Sequence, residues 1–460
     1  MTKISPFYNF PPVTAKAWKQ QIQADLKGAD YNERLIWDSP DHISVKPFYN
    51  SEDLKNIPDL APQTPATWHL GQSIYVQNAV AANKKALHAI NKGAESIFFT
   101  LPSEDTNIED LLKGIDLTAT PIHLTLQFLS TQFMERMSFY SKKENTLLHI
   151  HLDVIGHLAA SGNWYRSMEE DLSFFAIQTE KLGQLPFLSV DGTLYQNAGA
   201  NRIQQLAYML SHANEYLNSL VLEGKKTLPC GPVFKVAVNT DYFFEIAKIR
   251  ALRILWATLA TSYEVPTSCE IVAQPTKRNK TLYDYNTNLL RTTTESMAGI
   301  LGGANTVCNL AYDAIYHKDN EFGERIARNQ LLILKNESYF GAVSNPADGA
   351  YYIESLTYQL ANDALELFKA LEHAGGFLKG LKSHTIQKKI KESAEKEQQR
   401  FDQGTLVLVG SNKYANQEDK MKDSIEIYPF LKTNKEKTLL EPILEKRLAE
   451  ALEQKRLEDE

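Results

Sequence analysis

Eight short apolar runs, most of them about 25 to 45 residues apart, alternate with segments of helical periodicity along the middle of the chain. Short runs separated by helices are typical of βα units, whose strands pair in parallel. Eight such units close into a barrel, so the sequence predicts an α/β fold of the (β/α)₈ TIM-barrel type. The predicted strands are Ile74–Gln77, Ser96–Leu101, His123–Phe128, Leu147–Val154, Pro186–Val190, Val233–Val238, Glu270–Gln274 and Thr306–Leu310.

Both ends of the chain differ from this central part, which is assigned to residues 66–400. Residues 1–65 are interpreted as an N-terminal arm for subunit contact, in which aromatic residues stand between polar stretches and Thr14–Leu26 is a predicted helix. Residues 401–460 are predicted to form a charged helical tail or linker. Within it, Glu441–Glu460 is either an interaction helix or a solvated tail.

Composition excludes several classes of function. A net charge of -7 offers no basic field for nucleic acid or anionic lipid. No stretch reaches transmembrane length, and Met1–Asn9 lacks the apolar run of a signal peptide. Three widely spaced cysteines, Cys230, Cys269 and Cys308, suggest neither a disulfide framework nor a cysteine zinc site. We therefore expect a reducing, cytoplasmic location.

The sequence contains no phosphate-binding loop, dinucleotide fingerprint, nucleophile elbow or H-E-x-x-H helix. His149, His151 and Asp153 alternate with apolar residues in one predicted strand, so their side chains share a face. Such a set could coordinate a metal or move a proton. Satisfied polar groups in a barrel lumen are the commoner explanation, and this is the interpretation we favour.

Basic residues on the predicted helix Glu321–Lys335 allow two interpretations. Arg325, Arg328 and Lys335 could hold a phosphate. A solvated face that also carries Glu321 and Glu324 is the commoner arrangement.

Several ordered segments along nearly the whole chain resemble the methylmalonyl-CoA mutase family. They are the FPP string at Phe10, DLKGADY from Asp25, VKPFY from Val45, SVDGTLYQNAGANRIQQLAYMLSHANEYL from Ser189, FFEIAKIRALRILWA from Phe243, LLRTTTESMAGILGGANTVCNLAYDA from Leu289, RIARNQLLIL from Arg325 and NPADGAYYIESLT from Asn345. The resemblance implies a (β/α)₈ barrel whose lumen admits an acyl-CoA chain. It also implies a radical rearrangement between (R)-methylmalonyl-CoA and succinyl-CoA, for which adenosylcobalamin supplies the radical.

The chain departs from the family's catalytic pattern at several positions. Two histidines of catalytic chains, one of which hydrogen-bonds the substrate carbonyl, fall on Leu194 and Cys308. The R-Q-Y-A-G-F stretch, expected near Trp68–Gly71, is not recognisable, and the cobalt-ligating D-x-H-x-x-G loop does not occur. Glu354 matches a position near the cofactor and is interpreted as vestigial. We expect no catalytic residue, no metal and no bound cofactor in this chain.

These departures imply a small, catalytically inert subunit that forms a heterodimer with a large catalytic mutase subunit, which carries adenosylcobalamin. Two alternatives stay open. The chain is a barrel that uses a separate cobalamin-binding chain, or it is a non-enzymatic acyl-CoA-binding barrel.

Overall fold

The structure is a computed structural model that describes residues 13–55, 57–58, 65, 67–141, 146–183, 185–224, 228–432 and 437–460. The FPP string at Phe10 lies outside the described residues.

Eight parallel strands form the centre of the molecule, in the order β6-β5-β4-β3-β10-β9-β8-β7. They follow a small antiparallel pair, β1 (Trp37–Asp38) and β2 (Ser44–Val45). The barrel strands are β3 (His69–Tyr75), β4 (Ser96–Leu101), β5 (Ile122–Leu126), β6 (Leu148–His151), β7 (Ser189–Asp191), β8 (Val233–Val238), β9 (Glu270–Pro275) and β10 (Thr306–Cys308). All eight overlap the predicted runs, and the predicted (β/α)₈ fold class is confirmed.

The barrel is nearly closed between β6 and β7, the two ends of this order. Across this seam the amide of Ile150 donates to the carbonyl oxygen of Pro186 at 3.0 Å. The amide of Asp191 donates to a carboxylate oxygen of Asp153 at 2.9 Å. The predicted strand Leu147–Val154 is longer than β6, because the side chain of Asp153 caps a helix that begins at Val154.

Helices surround the barrel. They are α1 (Ala15–Asp25), α2 (Tyr31–Leu35), α3 (Ala79–Asn91), α4 (Ile108–Leu112), α5 (Thr131–Ser141), α6 (Val154–Ser161), α7 (Met168–Lys181), α8 (Thr193–Ala198), α9 (Arg202–Leu222), α10 (Tyr242–Tyr263), α11 (Thr287–Leu301), α12 (Glu321–Asn336), α13 (Tyr351–His373), α14 (Gly376–Lys382), α15 (Thr385–Asp402) and α16 (Glu450–Asp459), with a 3₁₀ turn at Lys422–Ser424. Asn201 and Gln204 form a capping box at the start of α9, which explains why this helix begins where its apolar periodicity does.

Part of the N-terminal arm packs on the chain's own barrel. Trp37 contacts Phe244 of α10 edge to face, with ring centroids 5.8 Å apart. Tyr49 contacts Tyr352 of α13 at 5.1 Å. In contrast, α1 buries none of its residues, and Trp18 is 51% exposed.

The end of the chain crosses the barrel. We call residues 421–432 and 437–460 the C-terminal strap. Helix α16 is shorter than the predicted Glu441–Glu460 helix, because the preceding backbone bonds to the barrel instead: Lys446 donates to the carbonyl of Asn197 at 3.1 Å, and Leu448 donates to that of Arg278 at 2.9 Å. No helix in the described ranges is both long and apolar enough to cross a membrane.

Candidate functional site

The strands separate apolar from polar side chains by simple alternation. In β5, Ile122 and Leu124 join the main core beneath the surrounding helices, whereas His123 and Thr125 face the lumen. The same alternation brings His149 and His151 of β6 to the lumen. Successive side chains of a strand point to opposite faces, so the period of two decides which residues can form a site inside the barrel.

Apolar side chains fill part of the lumen. Phe98, Val233, Val272 and Cys308 form a separate buried cluster, in which none is more than 6% exposed. Gly71 of β3 leaves room for it, because a Cβ at this position would collide with the Cys308 sulfur. The cluster joins side chains of β4, β8, β9 and β10, so apolar side chains occupy the lumen at this level.

Cys308, where the resemblance expects a histidine, is therefore a packing residue. Burial raises the pKa of its thiol to about 12, against the smaller lowering effects of Ser73 and Lys235. The thiol stays protonated near neutral pH and is a poor nucleophile and a poor metal ligand.

Three imidazole rings stack beside this cluster. The ring of His123 lies 3.9 Å from that of Phe98, at an angle of 7°. It lies 4.3 Å from the ring of His149 and 5.2 Å from that of His151. Burial, together with the neighbouring histidines and Lys235, holds the pKa of His123 well below its usual range. His123 is thus neutral at physiological pH.

The lower end of the lumen, at the start of the strands, adds a carboxylate. Glu270 is the first residue of β9, and its side chain is 20% exposed. Ligand atoms of His123, His149 and Glu270 lie within 4.8 Å of one another. Two imidazoles and one carboxylate are a donor set that could hold a metal ion. Of these three, the sequence analysis singled out only His149.

Asp153 lies with His151 at the upper end of the lumen, where the strands end, and apart from His149. It accepts hydrogen bonds from His212 at 2.9 Å and from the Tyr216 hydroxyl at 2.8 Å. It also caps α6 and accepts the Asp191 amide across the seam. Burial raises its pKa, but His212 and these hydrogen bonds lower it more, so that the net pKa lies below the ordinary value.

A cavity of about 620 Å³ lies at the upper end of the lumen, where the strands end. Leu194 of α8 lines it, and so does Lys235, whose ammonium donates to the Thr125 hydroxyl at 2.9 Å. The cavity has the size of a small-molecule site at the end where barrel enzymes place their chemistry.

The C-terminal strap covers part of this cavity from above. Arg447 lines it and donates to the carbonyl oxygens of Lys280 at 2.9 Å and Pro429 at 3.1 Å. Arg278 donates to the carbonyl of Lys446 at 2.7 Å and forms an ion pair with Glu397. These buried contacts fix the strap over the mouth of the barrel.

Other positions from the sequence lie outside the barrel. Glu354 of α13 pairs with Arg250 at 2.7 Å and accepts the Gly349 amide at 2.9 Å; it does not line the 620 Å³ cavity. Arg328 donates to the Gln72 side chain at 3.1 Å, and Lys335 pairs with Glu95. The structure therefore does not join the basic residues of α12 into a phosphate site.

Comparison with known proteins gives consistent results. The methylmalonyl-CoA mutase family model matches residues 103–457. The small subunit of methylmalonyl-CoA mutase from Porphyromonas gingivalis is 33% identical over 89% of this chain and 71% of its own length. The small subunit from Streptomyces virginiae is 28% identical over 83% of this chain and 67% of its own. Methylmalonyl-CoA mutase from Cereibacter sphaeroides is 28% identical over 86% of this chain and 64% of its own.

The chain thus spans about two thirds of the length of these relatives. Among solved structures, dihydropteroate synthase from Thermus thermophilus is matched at a TM-score of 0.30, with 13% identity over 59% of this chain and 95% of that one. A score this low does not establish a shared fold. With the family model over most of its length and a relative one third identical, this chain belongs to the methylmalonyl-CoA mutase family, and its resemblance within that family is to the small subunit.

Proposed function

We propose that this chain is the small, catalytically inert subunit of a heterodimeric methylmalonyl-CoA mutase. It supports a large subunit that holds adenosylcobalamin and interconverts (R)-methylmalonyl-CoA and succinyl-CoA. The observation that carries the proposal is the buried cluster of Phe98, Val233, Val272 and Cys308, whose side chains occupy part of the lumen. A barrel that admits an acyl-CoA chain along its axis needs that space open.

The chemistry of the remaining lumen supports an inert role. A leucine at 194 donates no hydrogen bond to a substrate carbonyl, and the buried thiol of Cys308 does not replace an imidazole. Loss of one such donor typically costs on the order of 100- to 1000-fold in rate. Both changes together leave no group in the histidine positions that could stabilise developing charge.

The residues at the barrel mouth do not fit adenosylcobalamin. The strap, fixed by Arg447 and Arg278, lines a cavity at the strand ends whose volume is that of a drug-sized ligand. A corrin ring at this place requires the strap to leave. This supports the assignment of the cofactor to the partner subunit.

The surface offers a place for that partner. Helix α1 buries no residue, and the side chains of Val13 and Trp18 are more than half exposed. An exposed tryptophan on an amphipathic helix is typical of residues that contribute strongly to binding. The three cysteines are unpaired, which supports the cytoplasmic location proposed with this function.

The test is co-expression with a large mutase subunit from the same genome, followed by size exclusion and a mutase assay with adenosylcobalamin. Each chain alone is the control. We expect a 1:1 complex with activity and no turnover by this chain alone. Turnover by this chain with only a cobalamin-binding partner would contradict the proposal and favour the barrel that borrows its cobalamin domain.

A second candidate is a non-enzymatic acyl-CoA-binding barrel, which the 620 Å³ cavity with Lys235 favours. Calorimetric titration of the isolated chain with CoA thioesters separates the two. We expect no saturable binding because the lumen is filled below the cavity. Tight binding that Lys235→Met abolishes, with free CoA as the comparison ligand, would instead favour the second candidate.

A further inference from the structure

The lower end of the lumen carries a cluster for which the proposed function has no use. It joins three strands: His123 lies on β5, His149 on β6 and Glu270 on β9. The two carboxylate oxygens divide between the imidazoles. One lies 3.8 Å from Nε2 of His123 and the other 3.1 Å from Nδ1 of His149.

The two ring nitrogens that face Glu270 are not hydrogen-bonded. Within the described residues, Nε2 of His123 and Nδ1 of His149 are buried and have no hydrogen-bond partner. The whole side chain of His123 is inaccessible to solvent. Because buried polar atoms are normally satisfied, an unsatisfied pair that converges on a carboxylate indicates a binding site.

The other nitrogen of His123 is already held. Its Nδ1 lies 2.9 Å from Nε2 of His151. When Nδ1 of His123 carries the proton, it donates to His151. The lone pair on Nε2 of His123 then points away from His151 and is free to bind a cation. Metal-ligating histidines are commonly oriented by such a hydrogen bond from the second nitrogen.

We propose that His123, His149 and Glu270 bind a divalent transition-metal ion of the Zn²⁺ class, with water as the remaining ligand. Zinc prefers imidazole and carboxylate donors in tetrahedral geometry, with bonds of about 2.0–2.2 Å, which separates its ligand atoms by roughly 3.3 Å. The observed separations of 3.1 and 3.8 Å from Glu270 are close to this value. The sequence alone predicted no metal site.

One adjustment is needed for binding. The rings of His123 and His149 lie nearly parallel, at 20°, and a lone pair lies in the plane of its ring. The His149 ring must therefore turn to point Nδ1 at the ion. No hydrogen bond of Nδ1 has to break, and the side chain is 15% exposed. Because the side chain of Glu270 is 20% exposed, an ion can reach the site from the lower end of the barrel.

The site lies at the N-terminal ends of the strands, opposite the face where barrel enzymes place their chemistry. A bound ion would tie β5 and β6 to β9 across the lumen. We therefore assign it a structural role, in which it holds together parts of the barrel that do not pair directly.

The test is calorimetric titration of the full-length, metal-stripped chain with Zn²⁺, together with the visible absorption of Co²⁺ as a probe of four-coordinate geometry. We expect one ion per chain. The variants Glu270→Gln and His149→Phe, which keep the shape of the site, should each weaken Zn²⁺ binding by more than about 10-fold. Circular dichroism establishes that both variants are folded.

His317→Gln is the matched control. His317 is partly exposed and lies 3.7 and 3.8 Å from carboxylates of Asp313 and Glu426, so it offers a comparable donor set on the surface. This variant should bind Zn²⁺ like the wild type. No binding by the wild type, unchanged affinity in the folded lumen variants, or loss of binding in His317→Gln would each overturn the proposal. All readouts use this chain alone, so they are independent of its role in a mutase complex.

Discussion

Cys308 and Leu194 occupy the two positions where the resemblance expects histidine, and their surroundings differ. Cys308 is 3% exposed and lies against Gly71 in the filled part of the lumen. Leu194 is half-buried and faces the 620 Å³ cavity. A histidine would therefore meet close packing at position 308 and open space at position 194.

This contrast gives a prediction at the residue scale. Cys308→His should lower the free energy of unfolding by about 1–3 kcal/mol because the larger ring overpacks the lumen. Leu194→His should cost about 1 kcal/mol or less, since its ring can extend into the cavity. Urea denaturation followed by circular dichroism measures both. Equal costs for the two variants would contradict a lumen that is filled at Cys308 and open at Leu194.

At the scale of elements, one guanidinium group anchors the arm to the barrel in addition to the aromatic contacts of Trp37 and Tyr49. Arg202, at the start of α9, pairs with Asp41 of the arm, with Asp241 at 3.0 Å and with Glu245 at 2.8 Å. Its backbone amide also donates to Asp41 at 2.8 Å. Asp41 is 1% exposed, so the arm brings a buried charge to a barrel helix, and this contact fixes its position.

We expect Asp41→Ala to loosen the arm and leave the barrel folded, since Arg202 keeps two carboxylates. Hydrogen bonds to charged groups contribute about 1.5–3 kcal/mol. Amide exchange in residues 37–49 should therefore accelerate by roughly 10- to 100-fold, measured by hydrogen–deuterium exchange. Asp38→Ala is the control, because Asp38 is exposed and accepts a hydrogen bond from Ser44 of the same hairpin. Similar exchange in both variants would exclude Asp41 as the anchor.

For the whole molecule, Asp153 contributes to closure of the barrel. The carboxylate accepts the Asp191 amide across the β6–β7 seam and joins it to His212 and Tyr216 of α9. Removing it leaves several buried donors without an acceptor. A single side chain thus links the seam to the helix packed behind it.

Asp153→Ala should lower the free energy of unfolding by about 3 kcal/mol at neutral pH. Because the folded-state pKa of Asp153 lies below its ordinary value, its contribution is complete above about pH 4 and is lost as the pH falls through the folded-state pKa. The difference between wild type and variant, from urea denaturation at several pH values, should shrink below pH 4. Asp363→Ala, an exposed carboxylate on α13, should show no such loss. A pH-independent difference would argue against the ionised carboxylate as the cause.

The sequence by itself determined the eight βα units, their order and the family. Apolar periodicity is a local property, so strands such as Ser96–Leu101 and Val233–Val238 and helices such as Ala15–Asp25 could be predicted from neighbouring residues alone. Alternation within β6 likewise placed His149 and His151 on one face.

Only the tertiary structure decided which of these side chains meet. His123 meets His149 through the register of β5 on β6, but Glu270 reaches them across the lumen from a strand that pairs with neither. Residues 441–449 follow the barrel mouth because their backbone bonds there, although their composition favours a helix. The position of Glu354 likewise depends on a residue distant in sequence, its ion-pair partner Arg250. Periodicity reports which face of an element is buried; contacts between distant elements depend on barrel closure, which no local pattern encodes.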